Sequence, residues 1–222
     1  MKKVFFALCI FTSCTQLQAQ EKEPNADNWL ISAGMNAGIS GQEGQFFVNE
    51  LDKPTSATGD FKSFDASVKY RVATNSIFYV GLNYSYAVSK ISEDLNSNYD
   101  MRFKSESRIS SIGPSLTLLK RVGETFAFNM AFTPSYNVVN YDYRIEGALT
   151  KEARSTGLGL KFEFTPTFFL SDEISVGPKI GFNRIMFGDF DETVISSNEY
   201  NYNFERYNHL MLTLGICLNL HF

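Results

Sequence analysis

Five charged residues interrupt segments of this 222-residue chain that otherwise alternate between large apolar residues and glycine, serine, alanine, asparagine or threonine. They are Asp65, Lys69, Lys161, Glu163 and Lys179. Each belongs to the small polar series, so in a β-strand it lies on the face opposite the apolar residues. Because an unpaired charge away from water is costly, opposite charges on such a face are expected to meet. The pattern predicts an internal charge network in which Asp65 or Glu163 lies within salt-bridge distance of a lysine.

The sequence leaves two roles open for this network. It can fill the interior of a closed sheet as a structural plug, or it can line a gated path for ions. The plug is favoured because side chains about fill the inside of an eight-stranded barrel. Three further charges, Lys62, Arg71 and Glu106, are expected on the same face nearer the strand ends.

The two histidines are the candidates for acid–base catalysis. Hydrolysis or transfer of an acyl chain needs a nucleophile, a base and an orienting group on one patch. His209 is predicted where a loop meets the last strand, and its neighbours Asn208, Leu210 and Met211 include no nucleophile. His221 stands beside the final residue. We therefore expect no catalytic residues and no cofactor, and we keep a lipid-modifying enzyme as the least favoured alternative.

Acidic residues cluster in two polar segments. They are Glu93, Asp94 and Asp100, and then Asp189, Asp191, Glu192, Glu199 and Glu205. Their spacing lacks the glycine and the fixed carboxylate positions of an EF-hand loop, so solvation is favoured over a metal site. Tyr200, Tyr202 and Tyr207 lie among asparagines in the second segment. Such tyrosines suit either a recognition surface or a membrane rim, and the sequence does not separate the two.

Eight segments carry the alternation and must position these residues. Four units of nearly equal length begin near positions 28, 77, 125 and 174, and each has a strand, a polar loop and a second strand. The fifth segment is typical. Its apolar series is Phe126, Phe128, Met130, Phe132, Pro134, Tyr136 and Val138, against Ala127, Asn129, Ala131, Thr133, Ser135 and Asn137. A solvated outer surface would instead be rich in lysine and glutamate. Small polar residues suit the inside of a narrow barrel, and the large apolar face suits lipid.

The connections and the aromatic residues agree with a spanning barrel. Short links are predicted at 73–76, 120–124 and 171–173, and long polar loops at 41–61, 90–107, 140–154 and 184–203. Short periplasmic turns and long external loops are the outer-membrane pattern. Aromatic belts are expected at both headgroup levels. The periplasmic belt would contain Trp29, Tyr70, Phe78, Phe126, Phe164 and Phe222, and the outer belt Tyr84, Tyr86, Tyr136 and Phe182.

The N-terminal residues are expected to be a signal for export. Lys2 and Lys3 precede the apolar run 4–11, and Leu17-Gln18-Ala19 offers a cleavage site. This predicts a signal peptide over 1–19, a short periplasmic segment over 20–27 and a barrel over 28–222. A rival cut with lipidation at Cys14 stays open. The formal charge of −4 and the lack of a basic run argue against nucleic acid as a partner.

The C-terminal strand points to one family. Leu214, Ile216, Leu218, Leu220 and Phe222 alternate with small or polar residues up to an aromatic end. In this, and in its eight segments, the chain resembles the small eight-stranded outer-membrane barrels of the OmpA/OmpX type. The resemblance implies an all-β, eight-stranded, antiparallel up-and-down transmembrane barrel in the cell outer membrane of a Gram-negative bacterium. It also implies that Leu218, Leu220 and Phe222 serve as the assembly signal, although the peptidoglycan-binding domain of larger relatives is not expected here.

These observations predict a non-enzymatic outer-membrane barrel with a structural or surface-interaction role. A narrow passive pore is the alternative from another class. The expected partners are outer-membrane lipids and lipopolysaccharide, the outer-membrane assembly machinery, and an external ligand that the loops contact.

Overall fold

The computed structural model describes residues 28–48, 51–73, 76–96, 101–145, 149–188, 191–197 and 202–222. The predicted signal peptide over 1–19, the segment 20–27 and Cys14 lie outside these residues and stay predictions. Among the described residues there is no helix with the length and apolar character to cross a membrane. The strands are β1 (Trp29–Val48), β2 (Leu51–Arg71), β3 (Phe78–Asn96), β4 (Met101–Arg121), β5 (Phe126–Ile145), β6 (Leu149–Phe169), β7 (Ile174–Phe187), β8 (Asp191–Ser197) and β9 (Tyr202–His221).

The strands close into one barrel. Each strand from β1 to β6 pairs antiparallel with the next one in the chain, β7 pairs with β9, and β9 pairs with β1. The short β8 pairs with β6 beyond the end of β7, so β7 and β8 together occupy one position in the wall. The nine strands therefore form a barrel with eight strand positions. The predicted eight-stranded, antiparallel, up-and-down barrel is therefore confirmed. Both ends of the described chain lie at one end of the barrel, the terminal end, and we call the other the distal end.

The stagger of the strands sets how narrow the barrel is. A row of paired residues can be followed around the wall through Val88, Lys62, Ala37, Leu214, Ile180, Phe164, Met130 and Leu118 until it meets β3 again at Phe78. The row thus returns to β3 ten residues lower, from position 88 to position 78. Strand number and stagger together fix the diameter of a barrel, and eight strands leave an interior that side chains fill.

The two faces of the wall differ as the alternation predicts. Large apolar side chains point outward, and among them Met35 is 73% exposed and Leu214 is 65% exposed. Inward positions hold buried serine, threonine and asparagine, for example Thr117 and Asn137. A water-soluble barrel would have its apolar face inside. This wall therefore suits lipid outside and a polar, filled interior.

The predicted long loops are wrong, because most of their residues continue the strands. Strands β1 to β6 are 19 to 21 residues long, about twice the 9–11 residues that cross a bilayer. The connections 49–50, 97–100 and 146–148 lie outside the described residues. In the distal part the outward face carries exposed Lys90, Arg108 and Arg154 in place of apolar residues, while Ser107 and Ser155 stay buried inside. Backbone pairing does not need an apolar face, so the wall extends beyond the apolar band.

The first and last strands meet at the terminal end in a reciprocal backbone pair. The Trp29 amide donates to the Phe222 carbonyl at 2.8 Å, and the Phe222 amide donates to the Trp29 carbonyl at 3.0 Å. The Phe222 ring points outward and is exposed. The Trp29 ring meets the Tyr70 ring edge-on, with 4.9 Å between their centroids. The last residue therefore takes part in the seam that removes both sheet edges.

Deleting Phe222 should lower the amount of membrane-assembled protein. The deletion removes two backbone hydrogen bonds of the seam, each worth about 1 kcal/mol, and the terminal aromatic ring. Heat-modifiable migration on gels measures the folded fraction. Phe222→Tyr, which keeps the backbone pair and an aromatic ring, is the control and should assemble normally. A deletion variant that assembles at the wild-type level would show that the terminal aromatic is incidental.

Candidate functional site

The charged residues at mid-barrel converge inside the lumen from three strands. Asp65 comes from β2, Lys161 and Glu163 from β6, and Lys179 from β7. Lys179 Nζ lies 2.6 Å from Asp65 Oδ2 and 2.7 Å from Glu163 Oε1. Lys161 Nζ lies 2.8 Å from Glu163 Oε1 and 3.9 Å from Asp65 Oδ1. We call these four residues the charge cluster, and Lys179 is its centre because both carboxylates share its ammonium group.

A glycine and an amide make this close approach feasible. Gly34 pairs with Asp65, and a Cβ atom added to it would lie 3.0 Å from Asp65 Oδ2 and 3.1 Å from Lys179 Nζ. A larger residue at position 34 would push into the ion pair. Asn36 Nδ2 donates to Asp65 Oδ1 at 2.7 Å and occupies the carboxylate oxygen that Lys179 does not contact. Strand β1 thus gives the cluster both the space that Gly34 leaves and the hydrogen bond that Asn36 donates.

Lys69, the fifth residue of the predicted network, lies apart from the other four. Its side chain faces the lumen and is 4% exposed, but it forms no ion pair among the described residues. It borders a cavity of about 10 Å³ that Asp65, Glu163 and Lys179 also line. Such a volume is about the size that holds one water molecule. The structure therefore brings four of the five predicted residues into contact and leaves the fifth beside a polar void.

Below the cluster, an apolar group closes the terminal end. Leu30, Tyr79, Leu119 and Ala127 are buried together inside the lumen, and Phe169 packs against them. We call this group the terminal plug. Arg71 donates to the Tyr79 hydroxyl through Nε at 3.0 Å and through Nη2 at 2.6 Å. The alternation already places Leu30, Tyr79 and Ala127 in the inward series, and the structure packs them together as one apolar layer inside the wall.

Above the cluster, large apolar side chains fill the lumen again. Phe61, Ile109, Val139, Ile185 and Met211 are all buried. The cavity between the cluster and this layer has a volume of about 20 Å³. Phe61 and Ile185 fall within segments that the sequence analysis predicts as loops, 41–61 and 184–203, so the sequence does not place them inside the barrel. The alternation of the C-terminal strand does place Met211 on the inward face, between outward Leu210 and Leu212.

The histidines are both buried, and one of them meets a serine. His209 lies within β9 and is fully buried, so its predicted place at the start of the strand is wrong. His221 Nε2 lies 2.8 Å from Ser175 Oγ, and Asn219 Nδ2 donates to the same oxygen at 3.3 Å. Sequence separation hid this contact, since the hydroxyl comes from β7. Ser175, Asn219 and His221 are each at most 1% exposed, so no substrate reaches the hydroxyl in this conformation.

The comparisons with known proteins support the fold. No protein-family model and no curated protein sequence matches the chain. The solved structure of the outer membrane protease OmpT from Escherichia coli matches with a TM-score of 0.54 at 10% identity, covering 91% of this chain and 99% of that one. The outer membrane protein OprG from Pseudomonas aeruginosa matches with a TM-score of 0.52 at 12% identity, covering 89% and 97%. The fold is that of an outer-membrane barrel. With its apolar outward face, the chain belongs in the outer membrane, although a fold shared with a protease leaves the activity open.

Two of the charges expected inside lie on the outward face instead. Lys62 is exposed next to outward Phe64, and Glu106 lies on the outer wall between Lys90 and Arg108. Glu106 is 2.9 Å from Arg108 Nε and 3.2 Å from Lys90 Nζ. The hydrogen bond from Arg108, followed by that from Lys90, holds the pKa of the Glu106 carboxyl below its ordinary value. Arg71 does face inward, as predicted.

The aromatic residues of the predicted belts all point outward. Tyr84, Tyr86 and Tyr136 are exposed towards the distal end of the apolar band. Near the terminal end, Phe126 packs against Phe168 with 5.2 Å between ring centroids. Their role as headgroup anchors stays a prediction. The acidic residues of 93–100 and 189–205 and the tyrosines of 200–207 lie outside the residues whose side chains the structure describes.

Replacing Lys179 by methionine should destabilise the barrel by about 3–5 kcal/mol. The change leaves two buried carboxylates without the ammonium group that they share, and breaking a buried pair from one side has costs of this size. Urea unfolding in lipid vesicles, followed on gels, gives the free energy of unfolding. Lys120→Met, an exposed lysine near the terminal end, is the matched control and should stay within about 0.5 kcal/mol of wild type. Equal stabilities of the two variants would show that the cluster is not a structural unit.

Proposed function

We propose that the protein is a non-enzymatic outer-membrane barrel with a closed lumen. Its role is to support the membrane and to present its distal wall to the exterior. The observation that carries this proposal is the filling of the lumen by three successive layers: the terminal plug, the charge cluster and the apolar layer of Phe61, Ile109, Val139, Ile185 and Met211. Each layer lies across the path that a solute would take.

The size of the internal cavities argues against the passive pore. The two cavities around the charge cluster have volumes of about 20 Å³ and 10 Å³. A cavity of this size accommodates about one water molecule, whereas an ion needs room for its hydration shell or for groups that replace it. The lysines and carboxylates of the cluster pair with each other and are not arranged as a ring of one charge. A ring of one sign is the arrangement found in selective channels.

The burial of the contact between Ser175 and His221 argues against the enzyme. Ser175 and His221 have the spacing of a nucleophile and a base, but a substrate must also reach the nucleophile. Their neighbour Asn219 is an amide, and Phe169 covers the imidazole with 5.0 Å between ring centroids. The contact thus serves packing at the terminal end. The protease activity of OmpT belongs to that protein and does not follow for this chain.

The distal wall is the part of the protein available to an external partner. On its outer face Lys90, Glu106, Arg108 and Asp142 form a ladder of ion pairs across β3, β4 and β5, with Arg108 3.3 Å from Asp142. A cavity of about 670 Å³ lies beside this ladder. We therefore place the surface-interaction role on the distal wall. Assembly machinery and outer-membrane lipids complete the set of partners in this proposal.

Planar-bilayer recordings test the closed lumen. The wild-type barrel should give no steady conductance once inserted, whereas Lys161→Ala/Glu163→Ala/Lys179→Ala, which empties the middle layer, should give small and frequent openings. Folding of both proteins is checked by heat-modifiable migration. Lys120→Ala, outside the lumen, should be as silent as wild type. Large, steady channels from the wild-type protein would establish the pore and overturn the plug.

A further inference from the structure

A small polar cavity lies next to the charge cluster, beside Lys69. Its volume is about 10 Å³, enough for about one water molecule, and a bare halide ion needs about the same room. Hydroxyl and amide side chains reach it from two parts of the wall. They are Ser32, Ser67 and Asn83 on β1 to β3, and Asn129 and Thr165 on β5 and β6. The cavity therefore has groups that can donate hydrogen bonds on both sides.

Two of the donors that line this cavity lack a protein partner. Ser32 Oγ is buried and has no hydrogen-bond partner in the described part of the chain. The Lys69 side chain is 4% exposed and forms no hydrogen bond or ion pair with any residue that the structure describes. Buried polar groups in folded proteins nearly always have a partner, which is either a protein group or ordered solvent. Ser32 and Lys69 therefore require an occupant of the cavity.

The charges of this layer do not balance. The charge cluster is neutral by itself, because its two ammonium groups match its two carboxylates. Lys69 adds a third ammonium group, and no carboxylate of a described residue lies within salt-bridge distance of it. An uncompensated charge away from water is costly. The excess is one positive charge, which a single monovalent anion in the cavity neutralises.

The two carboxylates that line the cavity do not exclude an anion. Asp65 and Glu163 each have an ammonium group within 2.7 Å, so their charge is already compensated. The groups without a partner are the Lys69 ammonium and the Ser32 hydroxyl, and both can donate to an anion. A water molecule would accept these hydrogen bonds but would leave the charge of Lys69 in place. Phosphate, sulfate and carboxylate groups are too large for the cavity.

We propose that the cavity beside Lys69 binds one halide ion, chloride in its natural setting, through the Lys69 ammonium and the Ser32 hydroxyl. Asn83, Asn129 and Thr165 line the same cavity and supply further donors. The ion is bound without its water shell, which these groups replace. The filled layers above and below keep the ion from passing along the lumen, so it enters while the barrel folds. The halide thus completes the ionic layer that the charge cluster begins.

Anomalous X-ray diffraction with bromide tests the site in the wild-type protein. The barrel is refolded and crystallised in sodium bromide, and data are collected at the bromine absorption edge. A bromide peak is expected in the cavity beside Lys69. Crystals of Lys69→Met, grown in the same way, should lack this peak and keep any bromide bound at the surface. A wild-type cavity that holds only water, or nothing, would overturn the site.

The chloride dependence of folding is the second test. Urea unfolding in lipid vesicles is measured at constant ionic strength while chloride is replaced by gluconate, which is too large for the cavity. If the folded barrel alone binds the ion, the ratio of folded to unfolded protein should rise up to tenfold for each tenfold rise in chloride. Lys69→Met should lose this dependence. Lys120→Met, which removes an exposed lysine, is the matched control and should keep it.

Two results of the unfolding experiment would overturn the site. One is an equal response to chloride in wild type and Lys69→Met, which would mean a general effect of salt. The other is a wild-type barrel whose stability ignores chloride. Should Lys69→Met fail to fold, Ser32→Ala keeps the charge and removes one donor, so about tenfold more chloride should be needed for the same effect. Neither test measures conductance, so failure of the halide site and failure of the closed lumen are distinguishable.

Discussion

The rest of the structure depends on the need to pair every backbone amide and carbonyl within the membrane. In hydrocarbon an unpaired peptide group costs several kcal/mol, so a sheet must close on itself. Here closure is made by β1 and β9, whose pairing runs from the distal part of the wall to the reciprocal bonds of Trp29 and Phe222. Eight strand positions with a stagger of ten residues around the whole barrel leave a narrow interior. Narrowness then dictates what the inward residues can be.

The interior is filled in two ways, by apolar side chains and by paired ions, and these are stabilised by different interactions. Leu30, Tyr79 and Leu119 fill the terminal end with apolar contacts. The middle layer uses ions, whose removal from water is unfavourable unless each finds a close partner. Sharing of Lys179 between Asp65 and Glu163 meets that condition, and the ammonium group of Lys161 balances the second carboxylate. Ion pairs depend on distance and direction more strictly than apolar contacts do. The buried ionic layer therefore favours one position of β2 relative to β6 and β7, which face it across the lumen.

Local periodicity was enough to predict the architecture but not the contacts. The alternation over Phe126–Val138 and over the seven other segments predicts eight strands. The same alternation places Asp65, Glu163 and Lys179 on the inward face. The same parity, continued past the apolar residues, places Lys62 with Phe64 and Glu106 with Ile112, all on the outward face. The prediction that Lys62 and Glu106 point inward is therefore wrong, because the alternation of the strands continues beyond the apolar band. The distal strands have polar residues on both faces and look like loops, and only their cross-strand pairing distinguishes them. The approach of Ser175 to His221 likewise depends on the register of β7 and β9, which no local pattern contains.

A double-mutant cycle between Asp65 and Lys179 tests most directly whether the lumen is held by its charge cluster. Free energies of unfolding are measured in lipid vesicles for wild type, Asp65→Asn, Lys179→Met and the double variant. A buried contact of 2.6 Å predicts a coupling energy of about 2 kcal/mol or more. The exposed Lys90–Glu106 pair, measured in the same way, should give a clearly smaller value. A coupling below about 0.5 kcal/mol for Asp65 and Lys179 would contradict the account, because the two residues would then contribute independently.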